Sequence, residues 1–291
     1  MKRRWRDSGL AALMLGPSAA VLALFVVYPL IKAMWLGQQR CGVTTCSNSG
    51  FHQYLDAFRS NEFQDALIVT AKYALFTVPI GLVLGVGLAV LADKYMRGVG
   101  IFRTVFSSTV ATSVAVASVM WFFLLNPNVG VLAEWIGGVA KTPGLLQQPG
   151  YALWAVSASS IWANLGFTFI VVTAGLQGVP KDLYESAFVD GAGPFTRFTN
   201  VTLPMISPTL LFASVVLTTR AFQSFGEVDL LTGGGPKGET TTLTYLAYGS
   251  GLPTSNDDGL RATVSVLLFF VLLILALVQF RGLEKRVHYG N

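Results

Sequence analysis

The chain has 291 residues, of which 53% are hydrophobic and 12% are charged, with a formal net charge of +5. Soluble domains carry about 25% charged residues, so this composition, with a mean hydropathy of +0.58, excludes an ordinary soluble globular protein. It indicates a polytopic membrane protein, and we expect a single transmembrane domain over residues 1–291.

Six apolar runs are long enough to cross a hydrocarbon core about 30 Å thick, which takes roughly 20 helical residues. In chain order they cover residues 10–34, 66–92, 104–125, 151–176, 209–231 and 262–280. Lipid offers no partner to free backbone N–H and C=O groups, so runs of this length must be helical. The predicted fold class is therefore an all-α membrane protein with six transmembrane helices.

The first run follows a basic stretch, as the apolar region of a cleaved signal peptide does. Its apolar character continues to Leu30 without a convincing small-residue cleavage site. We therefore expect a retained signal anchor, with cleavage as the alternative.

Basic residues are distributed unevenly between alternate connections of the six runs. Twelve lie on one side, namely Lys2, Arg3, Arg4, Arg6, Lys94, Arg97, Arg103, Lys181, Arg197, Arg281, Lys285 and Arg286. Against them stand the four loop residues Arg40, Arg59, Lys141 and Lys237. Cytoplasmic loops carry the excess of Lys and Arg, so we expect both termini and the segment 178–208 to be cytoplasmic. The positive net charge is then a topological signal, and we do not expect nucleic-acid binding.

Both cysteines of the sequence, Cys41 and Cys46, fall in the first outward loop. In an oxidising exterior they could pair, closing a small ring that stabilises the fold by about 2 kcal/mol. The alternative is two free thiols in a flexible loop. No metal site is expected there, since His52 is the one other soft ligand nearby.

The segment between the fourth and fifth runs is too polar to cross a membrane but is studded with apolar residues. Pro180 suits the first turn of a helix, and Asp182 and Glu185 lie near its positive end, which favours carboxylates. Gly191 can end that helix with a positive φ, and a second short helical stretch is predicted over 195–201. Apolar residues left facing water at the membrane surface indicate a protein partner.

The same segment carries a recognisable pattern. It reads E-S-A from Glu185, then Gly191 after three residues, Val201 after nine more, and Leu-Pro at 203–204. This resembles the "EAA…G…I-LP" loop of the membrane subunits of binding-protein-dependent ABC importers, with Ser186 in place of Ala and Val201 in place of Ile.

The resemblance implies a type I ABC importer permease fold, in which this loop is a cytoplasmic coupling helix that docks on an ATPase. Carried over by position, the docking and anchoring residues are Glu185, Ser186, Ala187, Asp190, Gly191, Leu203 and Pro204. The implied partners are a second permease, two cytoplasmic ATPases that hold ATP and Mg, and an external substrate-binding protein, in a bacterial inner membrane. The alternative, an amphipathic helix lying on lipid, would have more Lys and Arg on its polar face.

Three further stretches narrow the resemblance. "AFQSFGEVDLLTGGGPKGETTTLTYLAY" at 221–248 resembles sugar-type permeases of this superfamily. "LLNPNVG" at 124–130 and "VQFRGLEKRVHY" at 278–289 are similar to the first permease of glycerol-3-phosphate/glycerophosphodiester importers. The implied substrate is glycerol-3-phosphate or a glycerophosphodiester such as glycerophosphocholine; the alternative is a neutral sugar or oligosaccharide.

Polar residues within the apolar runs are candidates for a substrate path, because each is costly in lipid. Arg220 is the outstanding one, since a charge at mid-span costs about 2.5–3.5 kcal/mol. It could attract a phosphate through its guanidinium, or form an ion pair with Glu227 or with a carboxylate of the partner permease. The full candidate set is Asn164, Thr168, Arg220, Gln223, Ser224 and Glu227.

Two other function classes fit the sequence less well. A stand-alone secondary transporter would show internal repeats, and no clear duplication is present. An enzyme would need clustered catalytic residues, whereas His52 and His288 fall in unrelated positions. The glycine-rich stretch at 232–240 lacks the lysine of a phosphate-binding loop, since Glu239 follows Gly238. We therefore expect a non-catalytic chain with no cofactor of its own and with ATP hydrolysis on a partner.

Overall fold

The computed structural model describes residues 13–41, 46–93, 98–141, 143–248 and 257–284. Several basic residues that underlie the predicted orientation lie outside these ranges, at positions 2–6, 94, 97, 285 and 286. The described chain is mostly helical, as predicted.

The helices are α1 Leu13–Leu36, α2 His52–Arg59, α3 Asn61–Asp93, α4 Val99–Ser107, α5 Val114–Leu124, α6 Val131–Ile136, α7 Ala152–Gln177, α8 Lys181–Val189, α9 Pro194–Arg197, α10 Leu203–Met205, α11 Ser207–Phe222, α12 Gly226–Leu231, α13 Leu243–Tyr248 and α14 Asp258–Glu284. Two short 3₁₀ turns, Ser108–Ala111 and Gly138–Ala140, and two π-helical turns, Ala23–Val27 and Phe198–Thr202, complete the helical structure described. The strands β1 Gln39–Cys41 and β2 Cys46–Asn48 form one antiparallel hairpin.

Four helices are long and apolar enough to cross a membrane: Leu13–Leu36, Asn61–Asp93, Ala152–Gln177 and Asp258–Gly282. Two further apolar stretches are bent pairs, Val99–Ala111 with Val114–Leu124 at 106° and Pro194–Met205 with Ser207–Phe222 at 68°. Every predicted run therefore overlaps one of these elements, and the described chain holds four to six candidate spans.

The predicted run 104–125 differs from the structure, because it is not one continuous helix. Thr112 and Ser113 adopt extended backbone, with ψ of 127° and 148°. The Ser113 hydroxyl accepts a hydrogen bond from the Val116 N–H at 3.3 Å, so it caps the start of α5. The run therefore turns sharply at a helix cap within an apolar stretch.

The predicted run 209–231 also differs. The helix α11 ends at Phe222, and α12 starts as a separate helix at Gly226. The Thr242 hydroxyl donates to the Ser224 carbonyl at 3.1 Å and the Thr244 hydroxyl donates to the Phe222 carbonyl, so both carbonyls at this helix end are satisfied from α13 and the residues before it. In one continuous helix the polar residues of this run would be spread along its length. The break between α11 and α12 brings them close together instead.

The centre of the fold is the packing of α3 along α7. Small residues on α3 allow the close approach: a Cβ added at Gly85 would collide with the Thr168 side chain. The helix α11 lies against both α3 and α7, and buried Tyr73, Val156 and Phe222 join the three elements in one apolar cluster.

Candidate functional site

A cavity of about 640 Å³ opens where three parts of the chain meet. Its walls are the bend between α4 and α5, the middle of α7, and the stretch from the end of α11 through α12. The lining residues are Thr109, Val110, Thr112, Val114, Ala115, Ala163, Asn164, Phe167, Arg220, Gln223, Ser224, Phe225, Gly226, Glu227 and Leu230. Seven of these fifteen residues are polar or charged, and they determine what the cavity can hold.

Arg220 is held on the cavity wall by two neutral groups from α7. Its Nη1 donates to Asn164 Oδ1 at 2.8 Å, and its Cζ lies 4.4 Å from the centroid of the Phe167 ring. The Asn164 amide nitrogen donates to the Ser160 carbonyl at 2.9 Å, which leaves its oxygen facing the guanidinium. A guanidinium has five N–H donors, so the others remain available to a ligand.

Glu227 lies on the same cavity and is 8% exposed. The Ser224 hydroxyl donates to Glu227 Oε2 at 2.9 Å, and the Tyr73 hydroxyl lies 3.2 Å from the Ser224 oxygen. These contacts fix the carboxylate through α3 and the break after α11. The groups that hold the carboxylate are the neutral hydroxyls of Ser224 and Tyr73.

The ion pair between Arg220 and Glu227, one alternative for Arg220, is not formed. Over the ranges that the structure describes, one ion pair is found, between Arg261 and Asp258 at 3.6 Å. Arg220 instead contacts Asn164 and Phe167, so both charges face the cavity without neutralising each other.

Five of the six residues proposed from the sequence as a substrate path line this cavity: Asn164, Arg220, Gln223, Ser224 and Glu227. Thr168 does not. It is fully buried, its side chain faces Gly85 across the α3–α7 interface, and its hydroxyl donates to the Asn164 carbonyl at 3.1 Å. One helical turn places Thr168 on the same side of α7 as Asn164, but α3 packs against that part of α7 at Gly85 and covers the Thr168 side chain.

The bend between α4 and α5 contributes a cavity wall that was not predicted from the sequence and that includes Thr109 and Thr112. The Thr109 hydroxyl accepts a hydrogen bond from the Gly166 N–H at 2.8 Å and so joins this wall to α7. A signal was present in the Ser113-Val114 step, because Ser before an apolar stretch is a common helix cap.

The segment 178–208 forms an elbow of two short helices. The helix α8 ends before Gly191, whose φ of 77° strongly favours glycine, and α9 begins at Pro194. A hydrogen bond of 3.0 Å between the Tyr184 and Thr202 hydroxyls closes the elbow. The sequence predicted both helices and the glycine break.

The elbow presents apolar side chains to its surroundings. Phe188, Val189 and Phe195 are 68%, 84% and 78% exposed. Among the residues predicted to dock, Glu185, Ser186, Asp190, Gly191 and Leu203 are exposed, and Ala187 and Pro204 are half-buried. The surface therefore combines an apolar patch with carboxylates beside it.

The first loop contains the β1–β2 hairpin, in which Cys41 lies opposite Cys46. Cys41 is disulfide-bonded. Its N–H donates to Asp257 Oδ1 at 3.0 Å, and the same oxygen accepts from the Leu260 N–H at 3.0 Å. The hairpin is thus fastened to the start of α14.

Comparison with known proteins gives concordant results. A family model described as "Binding-protein-dependent transport system inner membrane component" matches residues 57–289. The sn-glycerol-3-phosphate transport system permease protein UgpA of Salmonella typhimurium is 33% identical over 288 residues, covering 98% of this chain and 97% of the relative.

Two solved structures share the fold. One is a bacterial ABC transporter involved in the import of the acidic polysaccharide alginate, with a TM-score of 0.80 and 24% identity over 97% of this chain and 99% of that chain. The other is a bacterial alginate ABC transporter in complex with an alginate pentasaccharide-bound periplasmic protein, with a TM-score of 0.77 and 25% identity over 98% and 95% of the two chains.

Proposed function

Since the chain belongs to the family of binding-protein-dependent transport system inner membrane components, and is therefore an ABC importer permease subunit, we propose that it carries glycerol-3-phosphate or glycerophosphodiesters. The observation that carries this proposal is Arg220, fixed by Asn164 and Phe167 with donors left for an anion in the cavity. Guanidinium geometry suits phosphate oxygens. The 33% identity to a glycerol-3-phosphate permease over nearly the whole chain supports the same substrate class.

A second candidate substrate class is an oligosaccharide. It is favoured by the likeness to the alginate importers, and alginate, as an acidic polysaccharide, would also use an arginine in the path. A neutral sugar is disfavoured by the same residue, because it would leave the guanidinium without a charged partner.

We propose six spans in a single domain over residues 1–291, with both termini in the cytoplasm. They are the four long helices, the bent pair Val99–Ala111 with Val114–Leu124, and α11, whose bent partner Pro194–Met205 belongs to the elbow. The excess of basic residues beside alternate connections supports this orientation. Arg261 adds a further basic residue at the outward end of α14, but it is paired with Asp258 and does not reverse the excess.

We propose that the elbow 178–208 is the coupling helix and docks in a groove of a cytoplasmic ATPase. The exposed apolar patch of Phe188, Val189 and Phe195 supports a protein partner. In this proposal Glu185 and Asp190 meet basic residues of the ATPase, Ala187 allows close approach, and Leu203 with Pro204 anchors the return to α11.

The proposed assembly contains a second permease, two such ATPases and a periplasmic substrate-binding protein. The family description names a binding protein, and the alginate transporter was solved with its periplasmic partner. In this assembly ATP and Mg belong to the ATPases, and this chain is a non-catalytic subunit of the inner membrane. The Cys41–Cys46 hairpin would then lie on the periplasmic side, where disulfides persist.

The function is tested by purifying this chain with its co-expressed partners and reconstituting the complex with its binding protein in liposomes. We expect an ATPase to co-purify in stoichiometric amount and ATP-dependent uptake of glycerol-3-phosphate or a glycerophosphodiester. Uptake of neutral sugars alone would refute the proposed substrate class. Transport without any ATPase would refute the proposed assembly with ATPases.

A further inference from the structure

The helix α3 carries one basic side chain, Lys72, which lies in neither the cavity wall nor the elbow. It is exposed and belongs to the apolar run 66–92, which contains no carboxylate. Within the ranges that the structure describes, Lys72 makes no hydrogen bond and no ion pair. An ammonium group at membrane depth is costly without a counter-charge, so we expect its partner to come from outside this chain.

The length of α3 places Lys72 near the outer edge of the hydrocarbon core. Asp65 and Asp93 are the carboxylates that bracket the apolar part of the helix, and at 1.5 Å per residue they are about 42 Å apart. A core about 30 Å thick, centred between them, leaves about 6 Å of helix beyond it at either end. Lys72 is about 10 Å along the axis from Asp65, so its Cα lies only about 4 Å inside the core.

The direction of the lysine side chain moves the ammonium group further outward. In the proposed orientation α3 begins outside the membrane at Asn61 and runs inward. Each Cα–Cβ bond of an α-helix tilts toward the helix N-terminus, and the stem of a lysine can lie on apolar surface while its charge reaches the polar region. The ammonium of Lys72 is therefore expected among the head groups of the outer leaflet.

Aromatic side chains mark the same depth on the neighbouring helix α7. The Trp154 ring stacks on the Phe76 ring, with centroids 3.9 Å apart and 20° between the planes. Phe76 is one turn along α3 from Lys72, and both Trp154 and Tyr151 are exposed. Tryptophan and tyrosine are enriched at membrane–water interfaces. Lys72, Phe76, Tyr151 and Trp154, here called the outer α3–α7 surface, therefore combine a positive charge with an aromatic belt.

The rest of this side of α3 is suited to contact with acyl chains. Ile68, Leu75 and Val83 follow the face of Lys72 at helical spacing and are 51%, 68% and 71% exposed. A carboxylate of the second permease could also neutralise Lys72, but it would have to enter this apolar surface at its own desolvation cost. A lipid phosphate is already present at this depth, so the observations favour a lipid.

We propose that the outer α3–α7 surface binds an anionic phospholipid of the outer leaflet, with Lys72 contacting the head-group phosphate. Tyr151 and Trp154 flank the head group, and the acyl chains follow Leu75 and Val83. This inference rests on the proposed orientation of the chain. The four residues of the surface are not among the described residues that line the cavity, so the lipid is a bound component and not a transported substrate.

The test measures lipid binding to the purified, delipidated importer by native mass spectrometry, with phosphatidylglycerol and phosphatidylcholine as probes. We expect the unaltered complex to bind phosphatidylglycerol more tightly. Lys72→Gln should weaken that binding roughly fivefold, as when one lysine at a membrane surface is lost, and Lys72→Arg should retain it. The matched control is Arg59→Gln, which removes an exposed positive charge on α2, a helix that packs against α14.

Unchanged binding of phosphatidylglycerol by Lys72→Gln would overturn the inference, and so would an equal loss in Arg59→Gln. Loss of the second permease from the purified Lys72→Gln complex, with lipid binding unchanged, would assign Lys72 to the interface between permeases instead. These measurements need no transported substrate, so failure of the proposed substrate class would leave their result standing.

A second measurement uses the unaltered importer and does not depend on the folding of a variant. Lysines are acetylated in nanodiscs of phosphatidylcholine alone and of an equal mixture with phosphatidylglycerol, and the modified peptides are quantified. We expect the mixture to slow modification of Lys72 relative to Lys237, which is exposed in the loop after α12. An equal ratio of the two rates in both membranes would contradict a lipid at Lys72.

The leaflet is tested separately through Lys237, which lies in a loop that the proposed orientation places outside. A membrane-impermeant amine reagent added to spheroplasts is expected to modify it. Protection of Lys237 until the membrane is opened would refute the proposed orientation, and with it the assignment of the lipid to the outer leaflet.

Discussion

Reversing the charge of Glu185, by Glu185→Lys, is expected to abolish coupled uptake while leaving the permease folded. The side chain is exposed on α8 and makes no hydrogen bond or ion pair with the described residues. A surface substitution of this kind changes the free energy of unfolding by about 0.5 kcal/mol. The fold of the elbow, which depends on Gly191 and the Tyr184–Thr202 hydrogen bond, is untouched.

The effect on docking is expected to be much larger than the effect on folding. Removing one partner of a hydrogen-bonded charge pair at a protein interface costs about 2 kcal/mol or more. That corresponds to roughly 30-fold weaker binding of the ATPase, and the introduced lysine adds repulsion against a basic partner.

The assay measures three quantities in the same membranes: the amount of inserted permease, the amount of co-purified ATPase, and ATP-dependent uptake. Asp93→Lys is the matched control, since it makes the same charge change at an exposed position beyond the docking segment. Uptake by Glu185→Lys at the level of the unaltered chain would refute the docking role. Loss of insertion would instead make Glu185 a folding residue.

The remaining predictions concern the cavity, the core and the hairpin. Arg220→Ala should lower uptake of anionic phosphodiesters about tenfold, since a charge-assisted hydrogen bond is lost, and lower that of neutral sugars less. Gly85→Val should lower the free energy of unfolding by about 1–3 kcal/mol in a thermal-melt assay, because its side chain would collide with Thr168, whereas Gly87→Val enters open space and should be near neutral. Cys41→Ser should destabilise the chain by about 2 kcal/mol in the same assay, through loss of the small ring.

Each of these has an outcome that contradicts it. Equal loss of anionic and neutral substrates in Arg220→Ala would indicate a structural role for the guanidinium. Equal melting temperatures for the variants at Gly85 and Gly87 would refute the close α3–α7 contact. Alkylation of two thiols per chain before reduction would refute the disulfide.

Much of the architecture was predictable because the lipid bilayer around the chain dictates it. Apolar runs of about 20 residues must become helices in lipid, and all six predicted runs overlap helical elements of the structure. The elbow was predictable for a different reason: Pro180, Gly191 and Pro194 restrict the backbone locally, and their effect does not depend on distant residues.

The breaks within two of the six runs could not be predicted from hydropathy. Hydropathy reports that residues 104–125 and 209–231 avoid water, but it carries no information on the direction of the chain. The break before α5 depends on the Ser113 cap. The break after α11 depends on Thr244, which donates to the Phe222 carbonyl, and on Thr242, which donates to the Ser224 carbonyl. Both hydroxyls are about 20 residues away in sequence from the carbonyls that they satisfy. No local sequence pattern therefore predicts this break.

The sequence by itself determined the membrane class, the helical elements and the coupling-type pattern from Glu185 to Pro204, since each rests on composition or on spacing within one segment. Only the tertiary structure decided that Arg220 meets Asn164, 56 residues away, and that Thr168 turns instead toward Gly85. It also decided that Arg220 and Glu227 share one cavity without pairing. The physical reason is that periodicity places a residue on a helix face, whereas the neighbour of that face is set by how helices distant in sequence pack together.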